Sequence, residues 1–251
     1  KGESLPRHTL QALRKLRDLV DLRPKLPQKL EVPYLWNALF WAVFFHDFGK
    51  ASQGFQQRVR GGRAWPHRHE VLSLIFTDWI LDGLTSNEKL WATAAILSHH
   101  KEAREIETLY EAPEEDDGTS DDQVAEQLDA IADETLRGLW RWLTECTPCW
   151  IKDLAFDTHG VKAARFISED DAVRLVREKG AEKIYSHLRA YRLLVRRLEH
   201  SGHTQLVVPL LALRGFMINA DHAASAHVGD LPELVLKHDN LLAKCDLTWD
   251  R

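Results

Sequence analysis

Cysteine and long apolar runs are both scarce in this chain of 251 residues. Its three cysteines cannot form a disulfide framework, which predicts a reducing, cytoplasmic location. The longest uninterrupted apolar run, which ends at Phe45, is far shorter than the roughly 20 residues that cross a bilayer. The N-terminal residues lack the apolar stretch of a secretion signal, and the chain does not begin with Met. We therefore expect a segment of a cytoplasmic protein that makes no membrane contact.

An excess of positive charge is also missing. The chain has 33 Lys and Arg residues against 38 Asp and Glu residues, a formal net charge of −5. This excludes a basic coat over the whole surface, so any contact with nucleic acid has to be local. The sequence contains no G-x-x-x-x-G-K-[ST] motif, which excludes an ATP-binding P-loop in this segment. Histidine, in contrast, is abundant, with 13 residues, and it is the commonest metal ligand.

Strand-like alternation is absent as well, and apolar residues recur at helical spacing nearly throughout. The segment from Tyr34 to about Asp47 is apolar on nearly every face, which is typical of a buried helix. No internal repeat and no second domain can be recognised, so the sequence predicts a single all-α domain over residues 1–251. The first predicted helix opens near His8 and carries the apolar stripe Leu10, Leu13, Leu16 and Val20. The other predicted helices cover residues 34–47, 51–59, 70–84, 88–100, 122–145, 169–179, 181–201 and 204–226, with irregular chain over 147–168.

Residues 111–122 contain seven acidic side chains and no basic one. Such a run cannot bury enough apolar surface to join a core. It predicts an exposed, mobile acidic loop within the domain.

Several histidines lie beside acidic residues where the predicted helices begin or end. His46 and Asp47 end the apolar helix, and His99 and His100 end a later one. Charged groups at the ends of strongly apolar helices are costly unless they are paired or bound to metal. We therefore expect them to meet in one polar site. The residues expected there are His8, His46, Asp47, His69, His99, His100 and Asp221.

Short motifs carry these residues in a specific order. They are His46-Asp47-x-Gly49-Lys50-Ala51-Ser52 followed by Phe55-Gln56, then Arg68-His69-Glu70 with Ser73, then Ser98-His99-His100, then Ala220-Asp221-x-x-Ala224-Ser225. This order resembles the HD superfamily of metal-dependent phosphohydrolases. It is most similar to the HD nuclease domain of the CRISPR type I helicase-nuclease. The resemblance runs from His8 to about Ser225, most of the chain.

The resemblance implies a single helical HD bundle with two neighbouring metal sites. Asp47 would bridge the two divalent ions, which could then activate a water and clamp a phosphate group between them. Mixed imidazole and carboxylate ligands suit Mn, Ni, Co or Fe better than Mg, but the sequence does not identify the metal. The implied ligands are His8, His46, Asp47 and Asp221 for the first ion, and Asp47, His69, His99 and His100 for the second.

Further residues have plausible roles beside the metal ligands. Lys50 is a candidate catalytic cation that neutralises charge on the attacked phosphate, although an ordinary solvated lysine fits almost as well. Ser225 could orient Asp221 or contact a phosphate, although a small packing residue explains it too. His67 competes with His69 as a ligand, and the Arg-His-Glu context favours His69. The arginines expected to guide a phosphate backbone are Arg58, Arg60, Arg63 and Arg68.

The resemblance implies a metal-dependent nuclease that nicks and then degrades single-stranded DNA. Its partners would be the helicase domain or subunit of the type I system and the RNA-guided surveillance complex. Two alternatives remain open. One is an HD phosphohydrolase that acts on small nucleotides or cyclic nucleotides, and the other is a non-catalytic recruitment module with a structural metal.

Overall fold

The fold is built almost entirely from helices. The structure, a computed structural model, describes residues 3–62, 64–100, 105–106, 110, 122–200 and 204–226. The all-α prediction is confirmed, whereas residues 111–121 of the predicted acidic loop over 111–122 and Arg63 lie outside the described residues. The helices are α1 (Leu5–Leu22), α2 (Leu26–Lys29), α3 (Leu35–Phe45), α4 (Gln53–Val59), α5 (His69–Ser73), α6 (Ser86–Ser98), α7 (Gln123–Asp129), α8 (Asp133–Asp153), α9 (Glu169–His200) and α10 (Thr204–Ser225).

Short pieces of other secondary structure complete the described part of the fold. Three 3-10 helices cover Phe48–Ala51, Leu74–Trp79 and Asp157–His159. Two short strands, β1 (Ile80–Asp82) and β2 (Arg165–Phe166), pair antiparallel with Ile80 opposite Phe166. None of the helices described combines the length and the apolar content that a bilayer crossing needs.

Helix α3 forms the centre of the bundle. All eleven of its residues are buried, as its apolar sequence on every face predicts. It packs against α1, α6 and α10, and α1 in turn packs its buried face (Ala12, Leu13, Leu16 and Val20) against α10. Because α3 ends inside the protein, the residues that follow it, His46 and Asp47, are fully enclosed. The bundle therefore delivers polar groups into its own interior at one end of α3.

The segment over residues 70–84 departs from the predicted single helix. Only α5 is α-helical there, and the 3-10 helix Leu74–Trp79 and strand β1 follow it. Hydroxyl groups bond to nearby carbonyls in this segment: Ser73 Oγ lies 2.9 Å from His69 O and Thr77 Oγ1 lies 2.7 Å from Leu74 O. Such local bonds compete with regular helix, and β1 then pairs with β2.

Helix boundaries were also wrong in the second half of the chain. Residues 122–145 contain two helices, α7 and the start of α8, and α8 continues through Pro148 into the stretch predicted as irregular. Conversely, α9 is one helix where a break near Gly180 was predicted. A Cβ at Gly180 would lie 2.5 Å from Leu128 Cδ1. The glycine therefore permits α7 to approach closely rather than ending the helix.

An ion cluster around Asp78 joins three elements outside the candidate site. Asp78 accepts hydrogen bonds from Lys89 Nζ of α6 at 3.0 Å and from His187 Nε2 of α9 at 2.8 Å. Burial alone would raise the pKa of Asp78, but His187 and Lys89 outweigh it and lower the pKa from 3.8 to about 2. The ionised carboxylate therefore stabilises the folded state.

Replacing Asp78 with Asn is expected to lower the free energy of unfolding by about 2 kcal/mol at pH 7. Because the folded pKa is depressed, this contribution is complete above about pH 4 and is lost as the pH falls through about 2. Urea denaturation of both proteins between pH 7 and pH 3 measures it. A difference that holds from pH 7 to about pH 4 and shrinks toward pH 3 supports an ionised Asp78, whereas no difference at pH 7 contradicts it.

Candidate metal centre

The predicted ligands come from five separate segments that converge at one end of α3. His46 and Asp47 follow α3, His69 is the first residue of α5, and His99 and His100 follow α6. His8 lies in the first turns of α1 and Asp221 in the last turns of α10. The exposed fractions are 7% for His8, 0% for His46, 1% for Asp47, 8% for His69, 3% for His99 and 4% for Asp221. His100 is exposed.

Gly49 and Ser73 bring two of these segments together. A Cβ at Gly49 would lie 2.0 Å from His69 O, so only glycine allows α5 to pack this closely. The Gly49 amide donates to Ser73 Oγ at 2.9 Å, and the same hydroxyl lies 2.7 Å from His46 O. The glycine and the serine of the sequence motifs therefore fix the distance between the His46-Asp47 turn and His69.

The first group of ligands is His8, His46 and Asp221. One ligand atom from each lies within 4.8 Å of the others. His8 Nε2 is 3.0 Å from Asp221 Oδ1, and His46 Nε2 is 3.5 Å from the same oxygen. His46 Nδ1 donates to the carbonyl of Val43 at 2.7 Å. The lone pair of the neutral imidazole is therefore on Nε2, which faces the site.

The second group is His69, His99 and His100, whose ligand atoms also lie within 4.8 Å of one another. His99 Nδ1 donates to the carbonyl of Ile96 at 2.5 Å, so its Nε2 lone pair likewise faces inward. The ring of His100 lies 5.2 Å from that of His69, centroid to centroid. Three imidazoles therefore surround one small volume.

Asp47 lies between the two groups. Its Oδ2 is 3.5 Å from His8 Nε2 and 3.4 Å from His46 Nε2, whereas its Oδ1 is 3.2 Å from His69 Nε2. Each carboxylate oxygen therefore faces one group. Lys50 Nζ donates to Oδ2 at 2.6 Å and covers the carboxylate on the solvent side. This arrangement fits a carboxylate that bridges two ions.

Several buried polar atoms in the cluster make no hydrogen bond. An unsatisfied buried polar group costs about 1–3 kcal/mol, so the convergence of several in one place calls for a ligand. Imidazole nitrogens and carboxylate oxygens are the donors that divalent first-row metals prefer. The atoms without a partner are the Nε2 atoms of His46, His69 and His99 and Oδ1 of Asp47. The residues present therefore fit a pair of divalent ions.

The electrostatics of the cluster favour the protonation states that bind metal. Burial acts to raise the pKa of Asp47, but His46, His69 and Lys50 outweigh it and hold the pKa well below its ordinary value. Asp221 behaves similarly, because the imidazoles of His46 and His8 beside its carboxylate outweigh its burial and lower its pKa. Burial lowers the pKa of His99, and the neighbouring imidazoles lower it further. Ionised carboxylates beside a neutral imidazole are ready to coordinate a cation.

The pKa of His46, in contrast, is shifted in the direction that favours the proton over a metal ion. Burial acts to lower the pKa of His46, but the charges of Asp47 and Asp221 outweigh it and raise the pKa. A proton therefore competes with a cation for His46 as the pH falls.

A cleft of about 700 Å³ opens beside the cluster. Lys50, Arg60 and Ser225 line it, whereas Arg58 is exposed on α4 outside the lining. Arg68 is placed differently, since its guanidinium binds Glu70 Oε1 through Nη2 at 2.6 Å and Nε at 2.7 Å. The guanidinium expected to guide a phosphate backbone is therefore bound to a buried carboxylate instead.

Sequence reasoning missed the role of Glu70. This residue is fully buried, and its Oε2 lies 3.4 Å from Nδ1 of the adjacent His69. It also missed His222, which is exposed and forms another group of potential ligands with His100 and Asp221. The available signal was their position directly after a candidate ligand in the chain. His67, the rival of His69, does not belong to any such group among the described residues.

Comparison with known proteins agrees with this geometry. A family model described as Cas3, HD domain, matches residues 3–227, which include every residue of the cluster. No curated protein and no solved structure matches the chain. The chain therefore belongs to the family of Cas3 HD domains and is a CRISPR-associated, metal-dependent nuclease domain.

Proposed function

We propose that this domain hydrolyses the phosphodiester bonds of single-stranded DNA with two divalent ions held on either side of Asp47. The observation that carries the proposal is the orientation of Asp47, whose Oδ1 faces His69 and whose Oδ2 faces His8 and His46. The exposed cleft beside it supplies a path for a chain of phosphates.

Each of the two ligand groups would bind one divalent ion. Asp47 Oδ2 with His8, His46 and Asp221 would hold one ion, and Asp47 Oδ1 with His69, His99 and His100 would hold the other. Bound divalent ions supply Lewis acidity, lower the pKa of water and stabilise charge on the attacked phosphate. The protein contributes a fixed ligand geometry and buried walls that exclude bulk water from most of the ligands.

Lys50 is the catalytic side chain that we propose beside the metal ligands. Its ammonium lies between Asp47 and the cleft and is about a third exposed. A compact cation in this position can contact a non-bridging phosphate oxygen and offset the negative charge that develops there. Ser225, which also lines the cleft, can donate a hydrogen bond to the same phosphate.

The shape of the cleft favours a polymer over a free nucleotide. Its wall runs from His8 and Asp47 to Val59 and Arg60, both of which are exposed. A small-nucleotide enzyme needs an enclosed pocket for the base, whereas this cleft is open to solvent along its exposed wall. We propose that the strand is delivered by the helicase of the type I system and the RNA-guided surveillance complex.

Circular single-stranded DNA is the substrate that tests the proposal. With Mn²⁺ or Ni²⁺ the wild-type chain should open and then degrade the circles, and a chelator should abolish this. A panel of nucleotides and cyclic nucleotides is offered in parallel. Turnover of nucleotides with intact DNA would establish the alternative phosphohydrolase. Inactivity with every divalent metal would favour the recruitment module.

Arg60 is expected to contribute electrostatic attraction for the strand. Because it lines the cleft, Arg60→Ala should weaken the binding of single-stranded DNA several-fold and reduce the slope of log K against log salt by about 0.7. Fluorescence anisotropy with a chelator present measures binding without cleavage. Arg174→Ala, on the exposed face of α9, is the control. Equal slopes for Arg60→Ala and wild type would contradict this role.

A further inference from the structure

The imidazoles of the metal centre need partners on the side that faces away from it. An imidazole that coordinates through Nε2 must carry its proton on Nδ1, and that N–H requires an acceptor when buried. For His46 and His99 the acceptors are the carbonyls of Val43 and Ile96. Both histidines follow the last turn of a helix, where carbonyl groups have no partner within the helix. The backbone itself therefore fixes these two rings.

His69 cannot be fixed in this way. It is the first residue of α5, and a helix start offers unpaired N–H groups rather than carbonyls. Its Nδ1 faces Glu70 Oε2 at 3.4 Å, and that oxygen has no hydrogen-bond partner. His8 repeats the pattern in the first turns of α1, where its Nδ1 faces Glu3 Oε2 at 3.7 Å. Histidines at helix starts therefore face carboxylates, and those at helix ends face carbonyls.

Burying the carboxylate of Glu70 costs free energy unless other groups compensate it. Its side chain is completely excluded from solvent, and an ionised carboxylate in such a place must be compensated. Arg68 supplies the compensation, because two nitrogens of its guanidinium, Nε and Nη2, both contact Oε1. Oε2 remains directed toward His69. The contact with Arg68 therefore occupies Oε1 and leaves Oε2 available to the imidazole of His69.

We infer that Glu70 is a positioning residue, which holds the Nδ1–H form of His69 and so turns Nε2 toward Asp47 and the second ion. Arg68 acts through Glu70 rather than on the substrate. A carboxylate behind an imidazole orients the ring and increases its basicity as a ligand. The inference rests on the proposed function in one respect, namely that His69 is a ligand of the second ion.

The tautomer of His69 provides the direct test. Long-range proton–nitrogen NMR spectra of the metal-free wild-type chain, with His69 assigned through His69→Gln, should report a proton on Nδ1. In Glu70→Gln the amide group can also donate to Nδ1, so the Nε2–H form should appear. This measurement involves no metal and depends only on the contact between Glu70 and His69. A wild-type ring protonated on Nε2 would overturn the inference even if Glu70→Gln does not fold.

Metal titration calorimetry provides the second test. Glu70→Gln should lower the affinity for one of the two ions about 10–100-fold and leave the affinity for the other unchanged. Glu88→Gln is the matched control, because Glu88 is also buried but lies in the first turn of α6, at the opposite end from His99. Equal weakening by both variants, or none by Glu70→Gln, would overturn the inference. If wild type binds only one ion, the proposed function fails, and the tautomer still decides the role of Glu70.

Discussion

Replacing Asp47 with alanine is expected to lower DNA cleavage at least about a thousandfold, a loss of about 4 kcal/mol in transition-state stabilisation. Asp47 directs Oδ2 toward His8 and His46 of the first ligand group and Oδ1 toward His69 of the second. Its removal therefore takes a ligand from each ion and leaves Lys50 without the carboxylate that it binds.

The rate of opening of circular single-stranded DNA, measured with saturating Mn²⁺, checks this prediction. Far-UV circular dichroism should remain at the wild-type level, because Asp47 follows α3 rather than lying within it. Asp47→Asn, which keeps the volume and shape, serves as a second variant with the same expected loss. Asp78→Ala controls for the removal of a carboxylate outside the site. An Asp47→Ala protein that folds and retains a tenth of the wild-type rate would contradict the proposed bridge.

Replacing Gly49 with alanine is expected to destabilise the fold and disable the metal centre together. The added Cβ would lie 2.0 Å from His69 O and 2.9 Å from Leu72 Cβ, so the backbone of α5 has to move. Overpacking of this kind typically costs about 1–3 kcal/mol. Because the contact is with the backbone of His69 itself, the second ligand group should lose its geometry at the same time.

Urea denaturation measures the loss of stability, and metal titration measures the loss of binding. Gly138→Ala is a matched control, since it lies within α8 and a Cβ there meets no heavy atom within 4 Å. That variant should gain about 0.5–1 kcal/mol in stability from the lower helix propensity of glycine. A Gly49→Ala protein with wild-type stability and wild-type metal affinity would show that α5 does not pack as described.

The sequence allowed the convergence of the metal ligands to be predicted, because the motifs combine residue type with spacing. Neighbouring side chains such as His46 and Asp47 enter the same site whenever their helix ends in the interior, and the apolar run of α3 predicts that it does. The all-α class follows from helical periodicity alone. These features depend on local pattern, and local pattern can be read along the chain.

The partners of Arg68 and the extent of α5 could not be predicted in this way. Whether Arg68 reaches a cleft or Glu70 depends on rotamers that packing between distant elements decides. The segment after α5 is buried on every side, so its periodicity does not distinguish an α-helix from a 3-10 helix. Gly180 shows the same limit. A glycine is needed there because Leu128 of another helix approaches closely, and that contact cannot be predicted from the local sequence.

Anomalous X-ray diffraction from crystals loaded with Mn²⁺ tests the central claim most directly. The account predicts two anomalous peaks about 3.5–4 Å apart, with the Asp47 carboxylate between them, one beside His8 and His46 and the other beside His69 and His99. A single peak, or peaks away from Asp47, would contradict it.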